Sequence, residues 1–65
     1  MFPNLELEQV RNGYSDEYVA EKLGISQRTY RSRKVSGEFQ APEVVALINM
    51  YDRKFEYLFH QESGL

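Results

Sequence analysis

The feature that most constrains this chain is a pair of stop-and-restart signals, Gly13-Tyr14-Ser15 and Gly24-Ile25-Ser26. Glycine enters the left-handed conformation that ends a helix without the steric cost other residues meet there. A serine hydroxyl accepts hydrogen bonds from the free N–H groups of the following helix's first turn. Two such signals in close succession leave room for only a short helix between them. Helices of that length are marginal alone in water, so they must be held by packing on one another.

Around these signals the apolar pattern lays out five short helices. The first reads from Asn4 to Asn12, with Leu5, Leu7 and Val10 as its apolar positions. The second starts at the Ser15 cap, places Asp16 and Glu17 where acids complement the helix dipole, and turns Val19, Ala20 and Leu23 to one face before Gly24 stops it. Ala20 is small enough to let a neighbouring helix approach. Ile25 reads as a buried turn residue. The third helix runs from the Ser26 cap to Lys34, and a loop through Ser36 and Gly37 then leads to Phe39, a plug beneath that loop. Pro42 and Glu43 open a fourth helix whose core face is Val44, Val45, Ile48 and Tyr51, ending near Asp52. A fifth, from about Lys54 to Phe59, turns Phe55, Leu58 and Phe59 inward and Tyr57 outward. There is no strand-like alternation and no internal repeat, so the expected fold is all-α. Residues 1–59 form one domain, and 60–65 read as a short polar tail.

The composition removes several classes of function. The 65 residues contain no Cys and one His, His60, which leaves no disulfide framework and no zinc site of the usual kind. No cofactor or metal is expected. The longest apolar run, Val44 to Ile48, is far short of the ~20 residues that span a bilayer, and the N-terminus has no signal-peptide pattern, so a cytoplasmic location is expected without membrane contact. No serine, acid and histidine set is spaced for catalysis, and no glycine-rich phosphate loop occurs. The chain does not read as an enzyme or as a small-molecule binder. Its nine aromatics fall mostly at inward helical positions and are expected to be core.

Charge distribution says more than charge total. The net charge is −2, which does not favour nucleic acid. Yet Arg28, Arg31, Arg33 and Lys34 place four of the eight basic residues in seven positions that hold no acid, and the other four face ten acids elsewhere. The third helix is a basic edge on an acidic body. Only Tyr30 is apolar within it; with Tyr30 inward, a rotation of 100° per residue puts Arg28 and Ser32 nearly opposite, with Arg31 beside them.

The stretch Val19-Ala20-Glu21-Lys22-Leu23-Gly24-Ile25-Ser26, the Arg28-Thr29 pair after it and the closing Phe55-Glu56-Tyr57-Leu58-Phe59 together resemble the lambda-repressor-like, or Cro-like, helix-turn-helix regulators of phages and mobile elements. The resemblance covers about residues 4 to 59. It implies a five-helix domain in which helices 2 and 3 form a helix-turn-helix, with helix 3 in the major groove of double-stranded operator DNA. Carried over by position, it makes Gln27, Arg28, Ser32 and Arg31 the base-reading candidates and Ser26, Arg33 and Lys34 the phosphate contacts. Arg28 suits guanine O6 and N7, and Gln27 suits adenine N6 and N7.

Departures from the family pattern are as informative. Asp16 stands where a Gln that approaches a phosphate is common, and Glu38 lies in a loop that is often basic. Tyr30 replaces a smaller aliphatic, Arg33 and Lys34 occupy a turn where a Leu usually faces the core, and Asp52-Arg53-Lys54 replaces the usual entry to the fifth helix. The function implied is a transcriptional regulator that binds its operator as a homodimer and acts, as a repressor does, by occupying DNA. The alternative is an antitoxin-like or antirepressor-like adaptor that keeps the scaffold but binds protein; Asp16, Glu38 and the acidic body motivate it.

Overall fold

Five α-helices and no strands make up residues 2–61, the part of the chain that this computed structural model describes. They are α1 (Pro3–Arg11), α2 (Asp16–Leu23), α3 (Gln27–Ser36), α4 (Ala41–Tyr51) and α5 (Phe55–Leu58). Their radius of gyration, 11.0 Å, is that of a close-packed chain of this length. No helix among these residues is long and apolar enough to cross a membrane. Of the expected tail, His60 and Gln61 are exposed, and 62–65 lie outside the described residues.

The local signals work as their chemistry dictates. Ser15 Oγ accepts from the Tyr18 N–H at 3.1 Å and Ser26 Oγ from the Thr29 N–H at 3.0 Å, so α2 and α3 each begin on a serine cap. Gly24, at φ +74°, ends α2. The third helix runs two residues past the expected Lys34, because Gly37 supplies the left-handed terminator at φ +80°. A side chain at Gly37 would also meet Phe2: an added Cβ would lie 3.2 Å from the Phe2 ring.

Eight side chains form the buried core: Phe2, Leu5, Val19, Ala20, Tyr30, Leu47, Tyr51 and Leu58. α2 and α3 form the closest pair, joined by three residues, with Ala20 buried. Ile25 is half-buried against the core, and Phe39 fills the space under the α3–α4 loop, 6.3 Å from the Tyr30 ring and 5.7 Å from Phe59.

Helix phase departs from the apolar pattern in three places. In α1, Leu7 and Val10 are exposed, Val10 by 75%, while Glu8 and Gln9 face inward. Phe2 and Leu5 anchor that face, and the next positions at helical spacing are 8 and 9. In α4, Val45 is exposed and the core face is Glu43, Leu47 and Tyr51, with Val44 and Ile48 half-buried. In α5, Phe55 is 51% exposed, stacked on Phe59 at 5.1 Å, and Tyr57 turns in rather than out.

Each buried polar side chain has a partner that explains its burial. The Glu8 carboxylate accepts from Tyr57 Oη at 3.1 Å and faces Arg11 at 3.5 Å and Arg53 at 3.6 Å. Glu43 accepts from the Gln40 N–H at 3.0 Å and pairs with Arg33 at 2.6 Å. Tyr51 Oη is the exception among the described residues: it is buried without a hydrogen bond.

Candidate nucleic-acid interface

The α3 helix carries four cations, and the fold treats them differently. Tyr30 is fully buried and sets the phase of the helix, leaving Arg28, Arg31 and Ser32 exposed and Gln27 half-buried at the N-terminal end. This is the face that the 100° rotation predicts. Arg28 makes no ion pair or hydrogen bond among the described residues, so its guanidinium is fully available to an external acceptor.

Arg33 and Lys34, the expected phosphate contacts, lie on the inward side of the helix. Besides its pair with Glu43, Arg33 donates to the Glu38 carbonyl at 3.3 Å. Lys34 Nζ lies between Asp16 Oδ1 and Glu6 Oε2, 3.0 Å from each, and 4.7 Å from the centre of the Tyr30 ring; its side chain is only 14% exposed. Each would have to leave an internal partner to reach a phosphate. The position at which they occur explains this: one turn beyond Tyr30, they cover the base of the helix where an aliphatic side chain would otherwise pack, and a cation can sit there only against an acid.

Ser26 is also committed. Its hydroxyl accepts from the Thr29 N–H and donates to Thr29 Oγ1 at 2.9 Å. What remains at this end for an anion is the set of backbone N–H groups of the first turn, which carry the positive end of the helix dipole.

Asp16 organises the base of the site. It opens α2, yet its carboxylate turns toward α1 and α3, where it accepts from Gln9 Nε2 at 2.9 Å, Arg31 Nε at 2.9 Å and Lys34 Nζ at 3.0 Å. The Gln9 hydrogen bond, then that from Arg31, hold its carboxyl well below the usual carboxylate range against the opposing effect of burial. Gln9 in turn accepts from the Tyr30 hydroxyl, whose ionisation burial pushes far above the ordinary tyrosine range. A continuous polar chain therefore runs from the core, Tyr30 to Gln9 to Asp16 to Arg31, and emerges on the α3 surface. Nothing in the sequence pattern points to Gln9, because an isolated Gln on a short helix reads as solvent-facing.

Glu38 is exposed and enters through its backbone carbonyl, which holds Arg33. Among the described residues no group of three or more His, Asp or Glu side chains is placed to hold a metal ion. A cavity of about 270 Å³ lies between Phe2, Phe39, Val44, Phe55 and Phe59, and none of Gln27, Arg28, Arg31 and Ser32 lines it. Comparison with family models, with curated proteins and with solved structures returned no match.

Proposed function

We propose that the chain is a sequence-specific DNA-binding regulator of the lambda-repressor-like, Cro-like kind, binding operator DNA as a homodimer through the exposed face of α3. One observation carries the reading. The outward face of α3 presents Gln27, Arg28, Arg31 and Ser32 beside a serine-capped helix N-terminus, with no acid between Gly24 and Glu38. Such a face offers side chains that pair with base edges and free N–H groups that suit a phosphate. The tight α2–α3 pair, with Ala20 buried and Tyr30 locked inward, supplies the rigid mounting that groove reading requires. A module of this size spans few base pairs, which is why two copies across a two-fold axis belong to the proposal.

Selection from a random duplex library tests it: the expected outcome is a short preferred sequence recovered as two symmetric half-sites. Recovery of no preferred sequence would reject it. The internal pairing of Arg31, Arg33 and Lys34 favours a second reading, in which the scaffold serves as an adaptor for another protein. In that case DNA retention would be weak and indifferent to sequence.

A further inference from the structure

Arg28 and Arg31 share the exposed face of α3, but they are not equivalent. Arg28 has no partner among the described residues and would lose most of its side-chain freedom on docking. Arg31 is already fixed at one point: its Nε donates to Asp16 Oδ2 at 2.9 Å, while the side chain as a whole stays 61% exposed. The anchor is itself anchored. Asp16 Oδ1 is held by Gln9 from α1 and by Lys34 from the end of α3, and Gln9 is held by the buried Tyr30 hydroxyl. Charge follows the same logic. Lys34 lies between Glu6 and Asp16, so the Asp16 carboxylate is shared between two cations and does not belong to Arg31 alone.

A guanidinium has five N–H donors in a planar fork. With Nε taken by a carboxylate, both Nη groups remain without a partner among the described residues, in the paired arrangement that matches two adjacent acceptors. Guanine offers such a pair, O6 and N7, in the major groove. We propose that Arg31 is a specificity-determining residue that reads a guanine, and that Asp16 is the positioning residue that orients it. This rests on the DNA-binding reading above and deepens it. Asp16 then acts as a buttress for recognition and is more than an acid that opposes the phosphate backbone.

The test measures affinity for the preferred duplex and for single-base variants of it, using wild type, Arg31→Lys, Asp16→Asn and the double variant, each first checked by circular dichroism to be folded at the assay temperature. Lysine keeps the charge but has neither the fork nor the Nε contact. We expect Arg31→Lys to lower preferred-site affinity by roughly ten-fold and to abolish discrimination at one G·C pair per half-site. Asp16→Asn should weaken discrimination at that same pair while raising affinity for scrambled DNA, since it removes a negative charge. In the Arg31→Lys background, Asp16→Asn should have no further effect on that discrimination.

Intact discrimination in Arg31→Lys would mean that Arg31 meets phosphate only and would overturn the inference. So would an equal gain on all duplexes for Asp16→Asn with discrimination unchanged. A second readout needs no DNA. In the free protein the Arg31 Nε–H resonance should be resolved and slow to exchange in wild type and lost in Asp16→Asn; its absence from wild type would refute the positioning role even where the variants fold poorly. If wild type prefers no sequence, the DNA-binding reading and guanine recognition fall together; if it prefers one irrespective of Arg31, only the present inference falls.

Discussion

Removing one oxygen from Tyr30 and one from Tyr51 is the same chemical change at two buried rings, and the structure predicts opposite consequences. Tyr30 Oη donates to Gln9 Oε1 in the core, so Tyr30→Phe leaves a buried amide oxygen without its partner and releases the Gln9 side chain that holds Asp16. A buried acceptor left unpaired costs about 1–3 kcal/mol. For a domain of this size each kcal/mol shifts the melting temperature by roughly 4–8 °C, so Tyr30→Phe should lower it by roughly 4–24 °C. Tyr51 Oη is buried without a hydrogen-bond partner among the described residues, and burial pushes its ionisation far above the ordinary range. Deleting it removes a desolvated group that receives nothing in return, so Tyr51→Phe should melt at the wild-type temperature or a few degrees above it. Thermal unfolding followed by circular dichroism, in parallel on the three proteins, reads both. A Tyr30→Phe variant as stable as wild type would break the polar chain from core to α3 at its first link. A loss in Tyr51→Phe equal to that in Tyr30→Phe would show that the Tyr51 hydroxyl has a partner after all.

Three further outcomes follow from the charged groups and one backbone position. Arg33→Ala should destabilise the domain by about 1–3 kcal/mol, because Glu43 is left buried without its cation and keeps only the Gln40 N–H, and urea unfolding should show this. Asp16, with its folded-state pKa depressed below the unfolded value, contributes stability that is present above about pH 4 and lost as pH falls through the folded value. Asp16→Asn should therefore flatten the stability profile between about pH 4 and about pH 2, with the two proteins converging in acid. Asp52 ends α4 at φ +53°, the one left-handed residue other than glycine among those described. Asp52→Gly should raise stability by about 0.5–1 kcal/mol, and an unchanged or lower midpoint in urea would refute that account of the cap.

The parts of the fold legible in the sequence are those written in local chemistry. Ser15, Gly24 and Ser26 each act on their own few residues, so the limits of α2 and the start of α3 could be read directly. Gly37 sits close to the expected loop and differs only in ending the helix two residues later. Tyr30 could be placed inward because it is the only large apolar side chain in its turn, and that one assignment puts Arg28, Arg31 and Ser32 outside. Helix phase was less legible in α1, α4 and α5. Helices of four to eleven residues carry too few apolar side chains to define a stripe, and Leu7, Val10 and Val45 were hydrophobic without being buried. The acids were harder still. Glu8 and Glu43 have local partners in Arg11 and the Gln40 N–H, but they are also held by groups that only the folded chain brings near, Tyr57 lying 49 positions from Glu8 and Arg33 10 from Glu43. The same holds for Asp16: its likeness to a phosphate-facing position directs attention to DNA, whereas its contacts are with Gln9, Arg31 and Lys34.

Whether the exposed face of α3 binds DNA is decided by a salt titration of affinity with a pair of matched charge deletions. Fluorescence anisotropy on the selected duplex would compare wild type, Arg28→Ala and Lys54→Ala, the last removing a cation at the start of α5. Affinity should fall linearly in log–log form with salt, by about 0.9 decade per decade for each phosphate neutralised. Arg28→Ala should lose about 1–3 kcal/mol on the preferred duplex and relax its preference at one base pair per half-site, while Lys54→Ala stays close to wild type. Equal losses from both deletions, or binding that ignores both salt and sequence, would contradict DNA binding by that face.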